Sequence, residues 1–368
     1  MFIIALRNLL QEKGRLFISI SGVAFSVLLM ILLQGLNVGF SNILGQYLKS
    51  VPTDLWVASA NTGNIMDPSF LPPTLGQRLK NIDGVGSAQP FGMQNITTSV
   101  NGNDLAFYMI AYDSSTGVGK PSRVSEGSAT PGKNEIVLDR IIAKSNKIKI
   151  GDSIPFAGKK LKVVGLSEGT FILSTSFAFI NKTDAGDIYT LPTTTNYWLV
   201  SVTPGADVQK VQSAINSQIP DVNAHTKGHF VQVNIDLVKD IVTPIFGALV
   251  ILGALIGLAV IGLTIFTSTI EKAKEYGVLK AIGFKNRQLY AVVIEQALIA
   301  AALGFVVGTA LAYALNPIIV NAVPQFVSQL RLFDIAWIFG VTFVIAIASS
   351  YIPIRPLNTI DPAEVFKA

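Results

Sequence analysis

The chain has two histidines, His225 and His229, spaced four apart. On one helix that spacing would put both imidazoles on a single face, where a third ligand could complete a metal site. The surrounding run VNAHTKGHF is a poor helix former, with Gly228 between the two. A solvated loop or strand edge is therefore the favoured placement, and a metal site the lesser one. There is no cysteine, which removes disulfides, thiolate metal sites and cysteine nucleophiles. No GxSxG, HExxH or P-loop pattern occurs. The chain is thus expected to do no covalent chemistry and to hold no metal and no cofactor. Asn95 in NIT and Asn181 in NKT fit the glycosylation acceptor pattern, a weak signal.

The polar residues that could act mechanically lie in EKAKEYGVLKAIGFKNRQL, residues 271 to 289. An apolar helix is predicted to continue through Lys280 as a charged stalk. Gly283 is placed to end it, since glycine takes the left-handed conformation without a Cβ penalty. A short helix carrying Lys285, Asn286, Arg287 and Leu289 would then re-enter the bilayer. A rigid helix with a basic, partly apolar tip suits docking in a groove of a partner; the plainer alternative is a positive turn that only sets topology. Within the apolar runs, Gln34 and Asn37 are candidates to line a cavity facing the outer leaflet, or to reach headgroups. Glu295 is read as tying its helix to a neighbour or to the stalk. Tyr313 and Trp337 read as interfacial anchors.

These residues are positioned by elements that only a membrane protein would need. Half of the 368 residues are apolar and 14% are charged, well below the quarter typical of soluble chains. Four runs are long enough to cross about 30 Å of hydrocarbon: residues 16–40, 241–267, 289–315 and 335–352. The first is too long for a signal peptide and is read as retained. Residues 1–15 read as an amphipathic interfacial helix with Phe2, Ile3, Leu6, Leu9 and Leu10 on one face, or as a continuation of the first span. Arg7, Lys13 and Arg15 precede the first span, and Lys272, Lys274, Lys280, Lys285 and Arg287 fill the link at 268–288. Arg355 and Lys367 lie in the tail, 353–368, whereas the short loop 316–334 holds only Arg331. This asymmetry predicts cytoplasmic termini and an external domain at 41–240 in a multi-pass cell (inner) membrane protein.

The domain at 41–240 has 17 basic and 16 acidic residues, so the net charge of +5 sits at the inner membrane surface and implies lipid, not nucleic acid. Its pattern is mixed α/β. Strands are predicted at Asp54–Ser59, Glu135–Leu138 and Tyr197–Val202, a hairpin within Ser99–Tyr112 turning around Asn101–Asn103, and two strands around Gly158 after a Gly151–Asp152 turn. Helices are predicted at Leu75–Asn81, Arg140–Ser145 and Asp207–Gln218, and His229–Asp240 leads into the second span. The fold class is an α-helical membrane protein with four transmembrane helices and a mixed α/β extracytoplasmic domain inserted between helices 1 and 2.

Three segments, in order, resemble the FtsX/MacB-like ABC permeases. ALRNLLQEKGRLFISISGVAFSV is similar to that family's entry into its first helix, EYGVLKAIGFKNRQL to its coupling segment, and PIRPLNTIDPAEVF to its terminal signature. Residues 131–169 also look like its extracytoplasmic module, so the resemblance covers essentially the whole chain. LKAIG and DPAEVF look closest to the branch with DevC-type glycolipid exporters and haem-efflux permeases.

The resemblance implies that Glu275, Gly277, Lys280, Gly283, Phe284, Lys285 and Arg287 form the stalk and coupling helix that contact a separate cytoplasmic ATPase. Two ATPase copies binding ATP and Mg would serve two permeases. Small-residue faces at Gly35/Gly39, Gly253/Gly257 and Gly304/Gly308 allow close helix approach. The family's use of its first two helices favours the first two pairs at a homodimer seam. The leading expectation is an exporter of amphipathic or lipid-like cargo (haem, glycolipid, macrolide-like or lipoprotein), with a possible periplasmic adaptor. The alternative is an FtsX-like mechanotransmitter acting on an external cell-wall hydrolase; a sensor without an ATPase ranks last.

Overall fold

A computed structural model describes residues 2–67, 69–100, 102–156, 158–172, 175–188, 195–323 and 325–354. The chain begins with α1 (Phe2–Gln11), α2 (Lys13–Ser50), β1 (Leu55–Ser59), α3 (Leu75–Lys80), β2 (Val85–Val100), β3 (Asn103–Tyr112) and β4 (Arg123–Gly127). It continues with β5 (Glu135–Asp139), α4 (Arg140–Ser145), β6 (Ser153–Phe156), β7 (Lys159–Glu168), β8 (Phe171–Ile172), β9 (Thr175–Asn181) and α5 (Lys182–Ile188). The remainder is β10 (Tyr197–Val202), α6 (Val208–Gln218), β11 (Val222–Thr226), α7 (Lys227–Glu271), α8 (Ala273–Ala281), α9 (Asn286–Ala322) and α10 (Leu332–Ser349). Two compact units result, Met1–Val38 with Thr243–Ala368, and Gly39–Val242, the divisions falling inside α2 and α7. The terminal motif PIRPLNTIDPAEVF lies almost wholly outside the described residues, as do Arg355, Lys367 and Asn101.

In the first unit, α2, α7, α9 and the stretch Leu332–Ile354 are each long and apolar enough to cross a membrane. Helix α2 meets two neighbours through small residues. A Cβ on Gly257 would lie 2.6 Å from the Ser26 hydroxyl, and one on Gly304 would lie 2.5 Å from the Val23 Cβ. The Ser26 hydroxyl also donates to the Gly253 carbonyl. Such contact supplies van der Waals energy where lipid offers no hydrophobic drive. Val27, Met30, Ile261, Val293 and Ala301 complete the core. Helix α9 runs past its predicted end to Ala322 with Pro317 inside it, which leaves 323–331 as the connection instead of 316–334. Asn316-Pro317 reads as a helix stop in water, but long apolar helices tolerate proline because neighbours re-satisfy the freed carbonyl.

The second unit is built on an eleven-stranded mixed sheet in the order β11-β1-β10-β2-β3-β9-β5-β7-β4, with β6 on β7 and β8 on β9. Among the described residues, only β3–β9 and β5–β7 run parallel. Strand β2 is 16 residues long. Its first part pairs β10 through Phe91 and its second pairs β3 from Gly92, so one strand serves both lobes of the sheet. Helices α3 and α6 bury Leu75, Leu79, Val211 and Ile215 against Leu55, Val57 and Val200. Trp56 stacks on Phe230 at 4.8 Å between ring centres and meets Phe91 and Tyr197 edge-on. At the other lobe, Asp139 caps α4, its Oδ1 accepting from the Ile141 N–H at 2.8 Å and its Oδ2 from the Thr170 hydroxyl at 2.6 Å. Burial pushes this carboxyl above the usual aspartate range.

Candidate functional site

The link between the second and third long helices is a stalk broken once and closed by a helix-stop motif. Helix α7 ends at Glu271, Lys272 adopts a non-helical conformation, and α8 resumes at Ala273. The predicted unbroken stalk thus has one local irregularity, across which the Lys272 N–H still donates to the Ser268 carbonyl and the Tyr276 N–H to the Lys272 carbonyl. The Lys272 side chain, 8% exposed, turns onto Glu12 at 3.2 Å. Glu12 also accepts from Arg15 at 3.0 Å and from the Ser268 hydroxyl at 3.1 Å, and Arg15 pairs with Glu271. Burial raises the Glu12 pKa, but its hydrogen bonds to Lys272, Ser268 and Arg15 outweigh that and leave it below the ordinary value.

At the far end, the Gly283 N–H donates to the Lys280 carbonyl and the Phe284 N–H to the Leu279 carbonyl, both at 3.0 Å. With Gly283 at φ +101°, this is a Schellman stop. Leu279 and Phe284, the positions of the motif's hydrophobic pair, both pack against the core of this unit. Lys285 is the N-cap of α9, and its N–H is accepted by the Gln288 side chain at 2.9 Å. The expected separate coupling helix is absent: Lys285, Asn286 and Arg287 form the first turn of α9 itself.

The seven residues assigned to coupling divide by exposure. Glu275, Gly283, Lys285 and Arg287 are exposed, Lys280 and Phe284 are half-buried, and Gly277 is buried. Sequence reasoning missed Val278 and Ile282, which are 43% and 68% exposed and give the basic tip an apolar surface. It also missed the Glu12–Lys272 pair, because Lys272 reads as one more basic residue of the link.

The other candidates sit apart from this tip. Gln34 donates to Asp334 at 3.0 Å, and Asp334 also binds Arg331 at 2.7 Å. Asn37 accepts from the Thr243 hydroxyl at 3.1 Å. Each thus links two helices of its own chain. Gly35 lies against Ser328 and Leu330, Gly253 against Met30, and Gly257 against Ser26. Gly35, Gly253 and Gly257 thus pack within the chain, and Gly39 is buried. Glu295 has a shielded Oε2 without a hydrogen-bond partner, so this oxygen makes no tie among the described residues.

The strand-edge placement holds, since β11 is the terminal strand of the sheet, but His225 is not solvated. It lies in β11, opposite Trp56 on β1, and is 8% exposed. His229 begins α7 and stacks on it at 5.6 Å. Burial lowers the His225 pKa, helped by repulsion from His229 and opposed by the Thr62 carbonyl. No cluster of three metal-ligating side chains occurs among the described residues.

Against known proteins, the FtsX-like permease C-terminal family matches residues 247–362 and the MacB-like periplasmic core domain family matches residues 16–218. The chain belongs to the FtsX/MacB-like ABC transporter permeases. The permease is 24% identical to the ABC transporter permease Rv0072 of Mycobacterium tuberculosis over 100% of its own length and 99% of that protein's. It is 22% identical to the ABC transporter permease MJ1507 of Methanocaldococcus jannaschii, covering 99% and 96%. To the macrolide export ATP-binding/permease protein MacB of Wolinella succinogenes it is 20% identical, over 97% of its own length but 59% of MacB. Among solved structures, the periplasmic region of MacB from Actinobacillus actinomycetemcomitans aligns with 50% of the permease and 94% of that chain, at 10% identity and a TM-score of 0.38. The permease is a multi-pass membrane protein whose inserted α/β domain is of the MacB periplasmic type.

Proposed function

We propose that this permease is the membrane subunit of an ATP-driven exporter of amphipathic or lipid-like cargo, powered by a separate cytoplasmic ABC ATPase. Two permeases and two ATPases form the working unit, and the ATPases bind the ATP and Mg. The observation that carries this reading is the α8–α9 tip. A glycine-locked stop holds exposed Val278, Ile282, Lys285 and Arg287 on a short, internally bonded elbow, suited to a groove with acidic and apolar walls. The partly buried Glu12–Lys272 pair at the base of α8 favours transmission of force along the stalk. Among the described residues the ion pairs of the spanning helices lie at the helix ends, as at Arg15–Glu271 and Arg331–Asp334, which favours amphipathic cargo over ions, and similarity to a protein named for macrolide export points the same way.

The test is co-purification with the cognate ATPase and measurement of ATP hydrolysis in proteoliposomes. Lys285→Glu with Arg287→Glu is expected to weaken association at least about tenfold, as expected when charged anchors of an interface are reversed. It should also abolish stimulation by amphiphiles. Unchanged export by that variant would overturn the coupling assignment. Hydrolysis indifferent to every amphiphile would favour mechanotransmission to an external hydrolase.

A further inference from the structure

Outside the spanning helices, the inserted domain has a cleft of about 690 Å³ where α4 and the turn after it face β4 and β7. One side carries Arg140, Lys144, Lys147 and Lys149, all exposed. These four cations fall in the ten residues 140–149, which hold no acid, within a domain that has 17 basic and 16 acidic residues in all. Ile148, Ile150 and Leu166 give the cleft an apolar side, and Ile150 is 42% exposed. Glu126 is the one carboxylate in the lining. The ion pairs of this region join Arg123 and Arg140 to Glu168, and Lys147 and Lys149 stand outside them. Lys147 is held at φ +56°, a conformation uncommon outside glycine and asparagine. Two exposed lysines and an exposed isoleucine lining one cleft of small-molecule size match a ligand with an anionic head and a short apolar body.

We infer that this cleft binds an amphipathic anion, a phosphate- or carboxylate-headed amphiphile, with Lys147 and Lys149 on the head and Ile150 on the apolar part. The inference does not depend on the export reading, because its test involves neither ATP nor a partner subunit.

The full permease in phosphatidylcholine nanodiscs is titrated calorimetrically with hexyl phosphate, with inorganic phosphate as the head alone and hexanol as the tail alone. Saturable binding of hexyl phosphate, stronger than either fragment, is expected. Lys147→Asn with Lys149→Gln should weaken it about tenfold, asparagine being chosen because it tolerates the left-handed backbone. Lys147→Arg with Lys149→Arg should restore it. Ile150→Ser should weaken hexyl phosphate while leaving inorganic phosphate unchanged. Equal binding by wild type and the Asn/Gln variant, or hexyl phosphate binding no better than inorganic phosphate, would overturn the proposal. Nanodiscs containing phosphatidic acid identify the source. Loss of hexyl phosphate binding there means that membrane lipid fills the cleft, and persistence means a soluble amphiphile; both support an anionic amphiphile site.

Discussion

Gly283 and Lys272 mark the two ends of the short helix α8, and each fails differently when changed. At φ +101°, alanine at 283 places a Cβ in a region that costs L-residues about 1–2 kcal/mol. Gly283→Ala should therefore lower the thermal midpoint of the purified permease, whereas Gly14→Ala, where an added Cβ meets nothing within 4 Å, should not. Lys272 poses a charge problem. Lys272→Met leaves Glu12 half-shielded with Arg15 and Ser268 but without its lysine partner, and should destabilise by about 1 kcal/mol. The double variant Glu12→Gln with Lys272→Met should recover most of that loss, and a double-mutant cycle on unfolding midpoints measures the recovery. Gly283 was legible because a lone glycine after a charged helical run has one common use. Lys272 was not, since its partner is some 260 positions away and nothing local tells a buried lysine from an exposed one.

Among the elements, those with strong local signals were readable. Helix α4 appears with its predicted bounds, Arg140–Ser145, because Asp139 supplies a cap and Ile142 and Ala143 an inward face. Strand β10 likewise spans the predicted Tyr197–Val202. Strand β9 escaped notice, and β11 was readable only as a loop or a strand edge, for a physical reason. The first joins β3 in parallel from a distant part of the chain, and the second, VNAHT, has weak strand propensity and depends on pairing with β1. That pairing places His225 where it resists protonation. The unfolded chain takes up the proton at the ordinary histidine pKa while the folded chain does not, so stability should fall as pH drops from about 7 to 5. His225→Gln should flatten this acid-side decline in melts recorded across that range. A decline as steep in the variant would assign it to other groups.

At the scale of the whole molecule, the absence of cysteine makes the permease a ready background for mapping sidedness. Single cysteines at exposed Ile282 or Lys285 should react with a membrane-impermeant maleimide only in opened or inverted membranes, and one at Lys149 only from outside intact cells. Labelling of both from the same side would refute the orientation derived from basic residues. Within the inserted domain, β2 has a consequence of its own. Because residues 85–91 serve one lobe and 92–100 the other, the lobes share an uninterrupted covalent cable. Traction on either lobe is carried to the other by peptide bonds, without having to unzip a ladder. A backbone cut near Phe91 would sever that cable, whereas a cut at the Gly102 hairpin would spare it.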